Sequence, residues 1–283
     1  MFGVKRTVGA NDDCVAFLQW ALPRLALNWP GFRRVRRQVC RRLKRRMQSL
    51  GISDFAAYRA HVREHPEEWA VIDSFCRITI SRFLRDKGIF AALGASVLPA
   101  LARRASAEGR GVAAWSAGCA SGEKAYSLKI VWEQCVAPSM PTVAFSVLGT
   151  DVDKAVLDRA RRGCYAAATL RELPGEWVAQ SFDIEDDHYC VKNALREGVS
   201  FVRQDVRIDL PPGPFDLILC RNLAFTYFAV AQQVRTVCHL ATRLRNGGVL
   251  VIGAHERLPV GATNFRPLLQ CPYILVWHGA EQI

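Results

Sequence analysis

No run in the sequence approaches the roughly 20 uninterrupted apolar residues that a membrane-spanning helix requires, so insertion into a bilayer is not expected. The first residues lack the basic start, apolar stretch and small-residue cleavage site of a secretory leader, and the expected location is the cytoplasm. Ten cysteines are present without a CxxC pair or a Cys/His cluster at zinc spacing, which leaves no metal expected. Scattered from Cys14 to Cys271, several inside apolar runs, they read as buried, reduced thiols in preference to disulfides. Internal repeats and low-complexity segments are missing too. Acidic residues are scarce: 26 Asp and Glu stand against 38 Lys and Arg, for a formal net charge of +12.

What is present is enough for a folded protein. A chain of 283 residues with 50% hydrophobic content fills one large core, or a medium core with a smaller attachment. Much of the excess charge sits at residues 33–46, as Arg33, Arg34, Arg36, Arg37, Arg41, Arg42, Lys44, Arg45 and Arg46. Such density implies an acidic partner: nucleic acid, an anionic surface or an acidic protein. In the same stretch Phe32, Val35, Val39, Leu43, Met47 and Leu50 recur at three- and four-residue steps, which predicts one apolar helix face with arginine around the rest. Gly51 stops that helix, Ser53 or Asp54 can cap the next around Phe55, Tyr58 and Val62, and Pro66 opens a third through Trp69, Ile72 and Phe75. Residues 1–90 therefore read as a small helical domain and linker, and 91–283 as a second domain with a small insert near 181–198.

In that second domain strands and helices alternate. Strand-like runs fall at 112–116, 143–150, 199–202, 215–220 and 249–254, with helical patterns at 126–136, 153–162 and 229–245. Alternation of this kind predicts a mostly parallel, doubly wound sheet covered on both faces. The connection from Glu256 to the last strand, 273–277, carries Pro259, Gly261, Pro267 and Pro272 and no clean crossover helix, which predicts an antiparallel final strand.

Chemistry in such a sheet belongs at the carboxyl ends of the strands. The first strand runs into Trp115-Ser116-Ala117-Gly118-Cys119-Ala120-Ser121-Gly122-Glu123, whose glycines let backbone approach a ligand or simply make a structural turn. A count of G-x-G-x-x-G from Gly118 meets Ala120 and Glu123, so this is not a dinucleotide fingerprint. The second strand ends at Thr150-Asp151-Val152-Asp153. A carboxylate there can accept from both ribose hydroxyls of a nucleoside, which points to Asp151, while Asp153 caps the next helix. The strand 215–220 delivers Arg221-Asn222, a pair with few structural reasons to follow a buried strand.

Together with Ser81-Arg82-Phe83-Leu84-Arg85-Asp86, Arg162-Gly163-Cys164-Tyr165 and Gly213-Pro214-Phe215-Asp216, these motifs resemble, in order, those of the CheR-type protein-glutamate methyltransferases, from Phe32 to Glu256. The resemblance implies an α/β fold of the class I methyltransferase kind, a Rossmann-like doubly wound sheet with an antiparallel last strand, preceded by a small all-helical domain. It also implies S-adenosylmethionine as cofactor, with S-adenosylhomocysteine as product. Carried over by position, Thr79, Ser81 and Arg85 fall where the family closes on the cofactor near the transferred methyl. Ala117 and Gly118 fall in the cofactor loop, and Glu123 and Asp151 at the acidic cofactor positions. Asp205 and Val206 lie beside the adenine, Arg221 and Asn222 beside the methionine moiety, and Tyr227 matches the tyrosine facing the reaction centre. Arg85 and Tyr227 are the expected catalytic residues, orienting a glutamate carboxylate that needs no general base.

The departures are equally specific. Lys124 and Ala125 replace the family's usual Glu and Pro, and one extra residue separates Asn222 from Tyr227. Residues 181–191 are too few for the glycine-rich insert of receptor-tethered members, so dependence on a C-terminal receptor peptide is not expected. The expected partner is an acidic helical region of a chemoreceptor or related signalling protein, docked on the basic helix at 33–46. The alternatives are an RNA or DNA methyltransferase, favoured by charge but lacking the Asn- or Asp-Pro-Pro-aromatic grip for an exocyclic amine, and a non-catalytic regulatory module that binds cofactor or partner.

Overall fold

The computed structural model describes residues 10–279. The chain divides into two compact units, Met1–Ile78 with Thr226–Gln232, and Thr79–Phe225 with Gln233–Ile283.

The described part of the first unit is helical: α1 (Ala10–Ala21), a 3₁₀ turn at Leu22–Leu25, α2 (Trp29–Phe32), α3 (Arg36–Ser49), α4 (Phe55–Glu64) and α5 (Glu68–Phe75). Of the predicted apolar stripe, Phe32, Val39, Leu43 and Met47 are buried. Asp54 caps α4, its Oδ1 accepting from the Ala57 N–H at 2.8 Å. Asn28 caps α2 through the Gly31 N–H (2.8 Å) and donates its amide to the Phe228 carbonyl (2.6 Å), which ties Thr226–Gln232 to this unit. The carboxylate of Glu68 is buried among α3, α4 and α5, where it accepts from Tyr58 Oη at 2.8 Å and pairs with Arg46. Burial alone would raise its pKa; the hydrogen bonds from Arg46 and Tyr58 outweigh that and hold it below the ordinary value.

The second unit is built on a seven-stranded sheet. Its strands in chain order are β1 (Val112–Ala117), β2 (Phe145–Asp151), the short β3 (Cys164–Tyr165), β4 (Phe182–Glu185), β5 (His188–Val191), β6 (Val199–Arg203), β7 (Phe215–Cys220), β8 (Leu244–Val251), β9 (Phe265–Leu268) and β10 (Cys271–Trp277). The large sheet runs β6-β2-β1-β7-β8-β10-β9; β3, β5 and β4 form a second, antiparallel sheet. β1 pairs in parallel with both β2 and β7, and β10 is antiparallel to β8 as predicted. The order of strands reverses between β1 and β7, which makes that gap the switch point where ligands of such sheets bind. β7 is buried along its whole length, and each of its fully buried side chains, such as Leu217 and Leu219, contributes about 1.5–3 kcal/mol. α6 (Lys87–Ala92), α7 (Leu98–Ala107), α8 (Glu123–Cys135) and α9 (Lys154–Arg162) belong to this unit. No described helix is long and apolar enough to cross a membrane.

Several expectations need correction. The boundary falls at Ile78 and Thr79 instead of near residue 90, because Phe83, Leu84, Ile89 and Phe90 are buried in the sheet unit's own core. Cys14 on α1 and Cys40 on α3 form a disulfide, and Cys164 and Cys190 form another across β3 and β5, where the register sets them opposite each other. Each pair is 26 residues apart with no motif to announce it, so only tertiary proximity brings the sulfurs together. Cys119, Cys135, Cys220, Cys238 and Cys271 are free thiols. The connection after Glu256 contains a strand, β9, that hairpins onto β10. The region expected as an insert holds β4 and β5, joined by a two-residue turn at Asp186 and Asp187, both at positive φ.

Candidate active site

Ala117 ends β1, and Gly118 turns the chain at φ +63°; a Cβ on Gly118 would lie 2.5 Å from Leu223 Cδ2. The loop is held from the end of β2. Asp151 Oδ2 accepts from the Ala120 N–H and Oδ1 from the Asp153 N–H, both at 3.0 Å. Each oxygen keeps a lone pair for a ligand hydroxyl. Asp153 caps α9 through the Ala155 N–H at 2.8 Å. Gly122, at φ +92°, opens α8.

Glu123, the first residue of α8, is only 5% exposed. Burial pushes its carboxyl pKa up, opposed by its own N–H, by Lys124, by the nearby Ser81 hydroxyl and by Arg159. Glu123 Oε2, Ser116 Oγ and Arg221 Nε are buried without a hydrogen-bond partner. An orphaned buried polar group costs about 1–3 kcal/mol. Three of them, on residues near the end of β1, directly after β7 and at the start of α8, mark a place for a polar ligand.

Arg221, directly after β7, is 1% exposed. Its Nη2 donates to the Arg85 carbonyl and to Asp86 Oδ2, both at 2.7 Å, and its guanidinium lies over the Phe90 ring at 5.0 Å. Burial pushes its pKa down, with Asp86 opposing. Asp86 therefore pairs with Arg221 and not with its neighbour Arg85. The Arg85 guanidinium has only a long, 3.4 Å bond to the Ile80 carbonyl and no ion pair among the described residues.

Two residues outside the predicted set shape this site. Glu256 accepts from the N–H groups of Asn222 (2.8 Å), Leu223 (3.2 Å) and Gly253 (2.6 Å), fixing the loop in which Asn222 adopts φ +53°. Its signal in the sequence was its place at the end of the motif series. Lys124 points inward: its Nζ donates to the Gly118 carbonyl at 2.6 Å and the Arg221 carbonyl at 3.1 Å. Burial foremost, then the Arg221 charge, holds its pKa below the ordinary lysine value. Burial also pushes the Cys119 thiol far up and the Cys220 thiol up to about 12, so neither supplies a thiolate at neutral pH.

The remaining predicted residues are more dispersed. Asp205, after β6, grips Arg207 through its N–H (3.0 Å) and Nη2 (2.7 Å), and Val206 beside it is buried. Thr79 is half-buried at the start of the second unit. Tyr227 belongs to the first unit, where its ring lies 5.0 Å from Phe32 and its carbonyl accepts from the Asn28 N–H at 2.8 Å.

Residues 79–274 match the family described as CheR methyltransferase, SAM binding domain. The chain belongs to the CheR methyltransferases. Residues 35–72 match that family's all-alpha domain. A chemotaxis protein methyltransferase of Listeria monocytogenes is 31% identical over 220 residues, covering 76% of this chain and 81% of the relative. An uncharacterised 104.1 kDa protein of Rhodobacter capsulatus is 29% identical over 220 residues, covering 78% of this chain but only 23% of the relative. A SAM-dependent methyltransferase structure from Thiobacillus denitrificans, in complex with S-adenosyl-L-homocysteine, is 17% identical and covers 64% of this chain and 52% of that one, with a TM-score of 0.35, too low to carry an argument.

As a CheR methyltransferase, the chain uses S-adenosylmethionine, and the residues present fit it. Asp151 has acceptor capacity for ribose hydroxyls, and the unpartnered buried atoms of Glu123, Ser116 and Arg221 suit a polar ligand. The cofactor supplies a methyl group made electrophilic by its sulfonium.

Proposed function

We propose that this CheR methyltransferase esterifies glutamate side chains on an acidic helical region of a chemoreceptor-like signalling protein. The observation that carries the substrate class is the outer face of α3. Arg42 is consumed in capping the end of α5, donating to the Phe75 (2.7 Å) and Arg77 (2.9 Å) carbonyls, and Arg46 is consumed by Glu68. Arg33, Arg34, Arg37, Arg41, Lys44 and Arg45 stay exposed and without an ion pair among the described residues. Arg37, Arg41 and Arg45 follow one another at four-residue steps, which sets them in a row along the helix. A solvated face needs no such alignment, and a row of uncompensated cations suits a row of acidic side chains on another helix.

The chemistry follows from the substrate. A glutamate with a pKa of about 4.3 is already ionised at neutral pH, so the protein needs to place the carboxylate and exclude water, with no proton to remove. Arg85, whose guanidinium is uncommitted, is assigned to orient it. Only a contact that strengthens toward the transition state accelerates the step. The two-residue turn between β4 and β5 leaves no room for a long insert and supports recognition without a tethering peptide.

The test is transfer of radiolabelled methyl from S-adenosylmethionine to a receptor cytoplasmic fragment. Label that mild alkali releases as methanol, and that the Arg85→Ala variant fails to install, supports the proposal. Alkali-stable label, or label appearing on RNA in place of the acidic protein, overturns it.

A further inference from the structure

β1 and β7 are neighbours at the switch point of the sheet, and the carbonyls of Gly118 and Arg221 lie just beyond their carboxyl ends. Both accept from one atom, Lys124 Nζ, at 2.6 and 3.1 Å. An ammonium has three donors and no acceptor, so two converging carbonyls make a subsite for an amine. It sits in the crevice where sheets of this class bind their ligands.

S-adenosylmethionine carries one such amine, the α-ammonium of its methionine part. We propose that Lys124 is a tethered occupant of the subsite for that ammonium, so that the cofactor enters only when the lysine side chain releases the Gly118 and Arg221 carbonyls. This rests on the reading of the crevice as the cofactor site of a CheR methyltransferase.

The surroundings favour a displaceable occupant over a fixed one. Lys124 makes no ion pair among the described residues. Of the carboxylates whose charge reaches it, Asp151 is engaged with the Ala120 and Asp153 N–H groups, and Glu123 forms no ion pair with it. The Arg221 guanidinium repels it, and the Cys119 and Cys220 thiols, neutral through burial, supply no counter-charge. A side chain that must leave first lowers apparent affinity by the fraction of time the subsite is open.

The experiment titrates S-adenosylhomocysteine, which carries the same α-ammonium, into the full chain and into Lys124→Ala and Lys124→Gln by calorimetry. In parallel, acetic anhydride labelling of Lys124 is read by mass spectrometry with and without the ligand. The expected results are binding at least about tenfold tighter in Lys124→Ala, and Lys124 protected in the free protein but labelled at saturation. Equal or weaker binding by both variants, with the parent protein binding well, overturns the occupant and leaves the cofactor site standing. Lys124 labelling that does not rise at saturation overturns it too. Absence of binding by all three proteins overturns both the occupant and the cofactor reading of the crevice.

Discussion

In the helical unit the buried carboxylate of Glu68 is answered by the side chains of Arg46 and Tyr58, whereas in the sheet unit Glu256 and Asp151 are answered by backbone groups. A pair of side chains joins helices, and its loss is felt as stability. A charge spent on main-chain N–H or C=O groups at strand ends fixes the path of a loop, and its loss is felt as the shape of whatever binds there. The same contrast covers the surface: α3 leaves a row of cations facing water, while Arg221 is sealed in by Asp86 and Phe90.

Five variants, one of them a double substitution, break or sharpen this contrast. The largest effect is expected from Glu256→Ala, which strands three N–H groups and should cost about 4 kcal/mol of stability, with affinity for S-adenosylhomocysteine falling as well; thermal unfolding and calorimetry read both. Glu68→Ala should cost about 3 kcal/mol in the helical unit and leave that affinity unchanged, because it serves packing alone. The sign of its pH dependence follows. With the folded pKa below the unfolded one, the contribution is complete above the ordinary carboxylate range and fades as pH falls through the folded value; acid titration of the parent and Glu68→Gln should converge at low pH. Asp151→Ala should weaken S-adenosylhomocysteine binding by about 100-fold, or roughly 2.7 kcal/mol, with a smaller change in unfolding temperature. Arg37→Glu with Arg41→Glu should slow association with an acidic receptor fragment about tenfold at low salt, the difference shrinking at high salt; stopped-flow measurement across ionic strengths checks it.

Legibility in the sequence followed the range of each interaction. Asp54 and Asp153 announced their caps because a cap bonds within three residues. β1, β2 and β7 were visible as apolar runs, and the reversal of β10 was visible in the proline-rich connection that precedes it. That connection also hid β9, whose Phe265-Arg266-Pro267-Leu268 carries a proline and no alternation. The inter-unit boundary was misplaced because Phe83 to Phe90 would suit a helical core as well as the one they enter. Among candidate site residues, Asp151 stands out in the sequence by its place at a strand end. Glu256 showed only as the end of the motif series, since its partners are N–H groups that every residue type offers, and the direction of Lys124 depends on where two carbonyls distant in sequence converge. Disulfides at 26-residue separation are invisible for the same reason.

The grip of Glu256 on three amides also sets a clock. The N–H groups of Asn222, Leu223 and Gly253 come from two loops separated in the chain, yet one carboxylate holds them all. Deuterium can reach any of them only after that carboxylate lets go, so the loop after β7 and the loop after β8 share one opening event, and their exchange times rise and fall together.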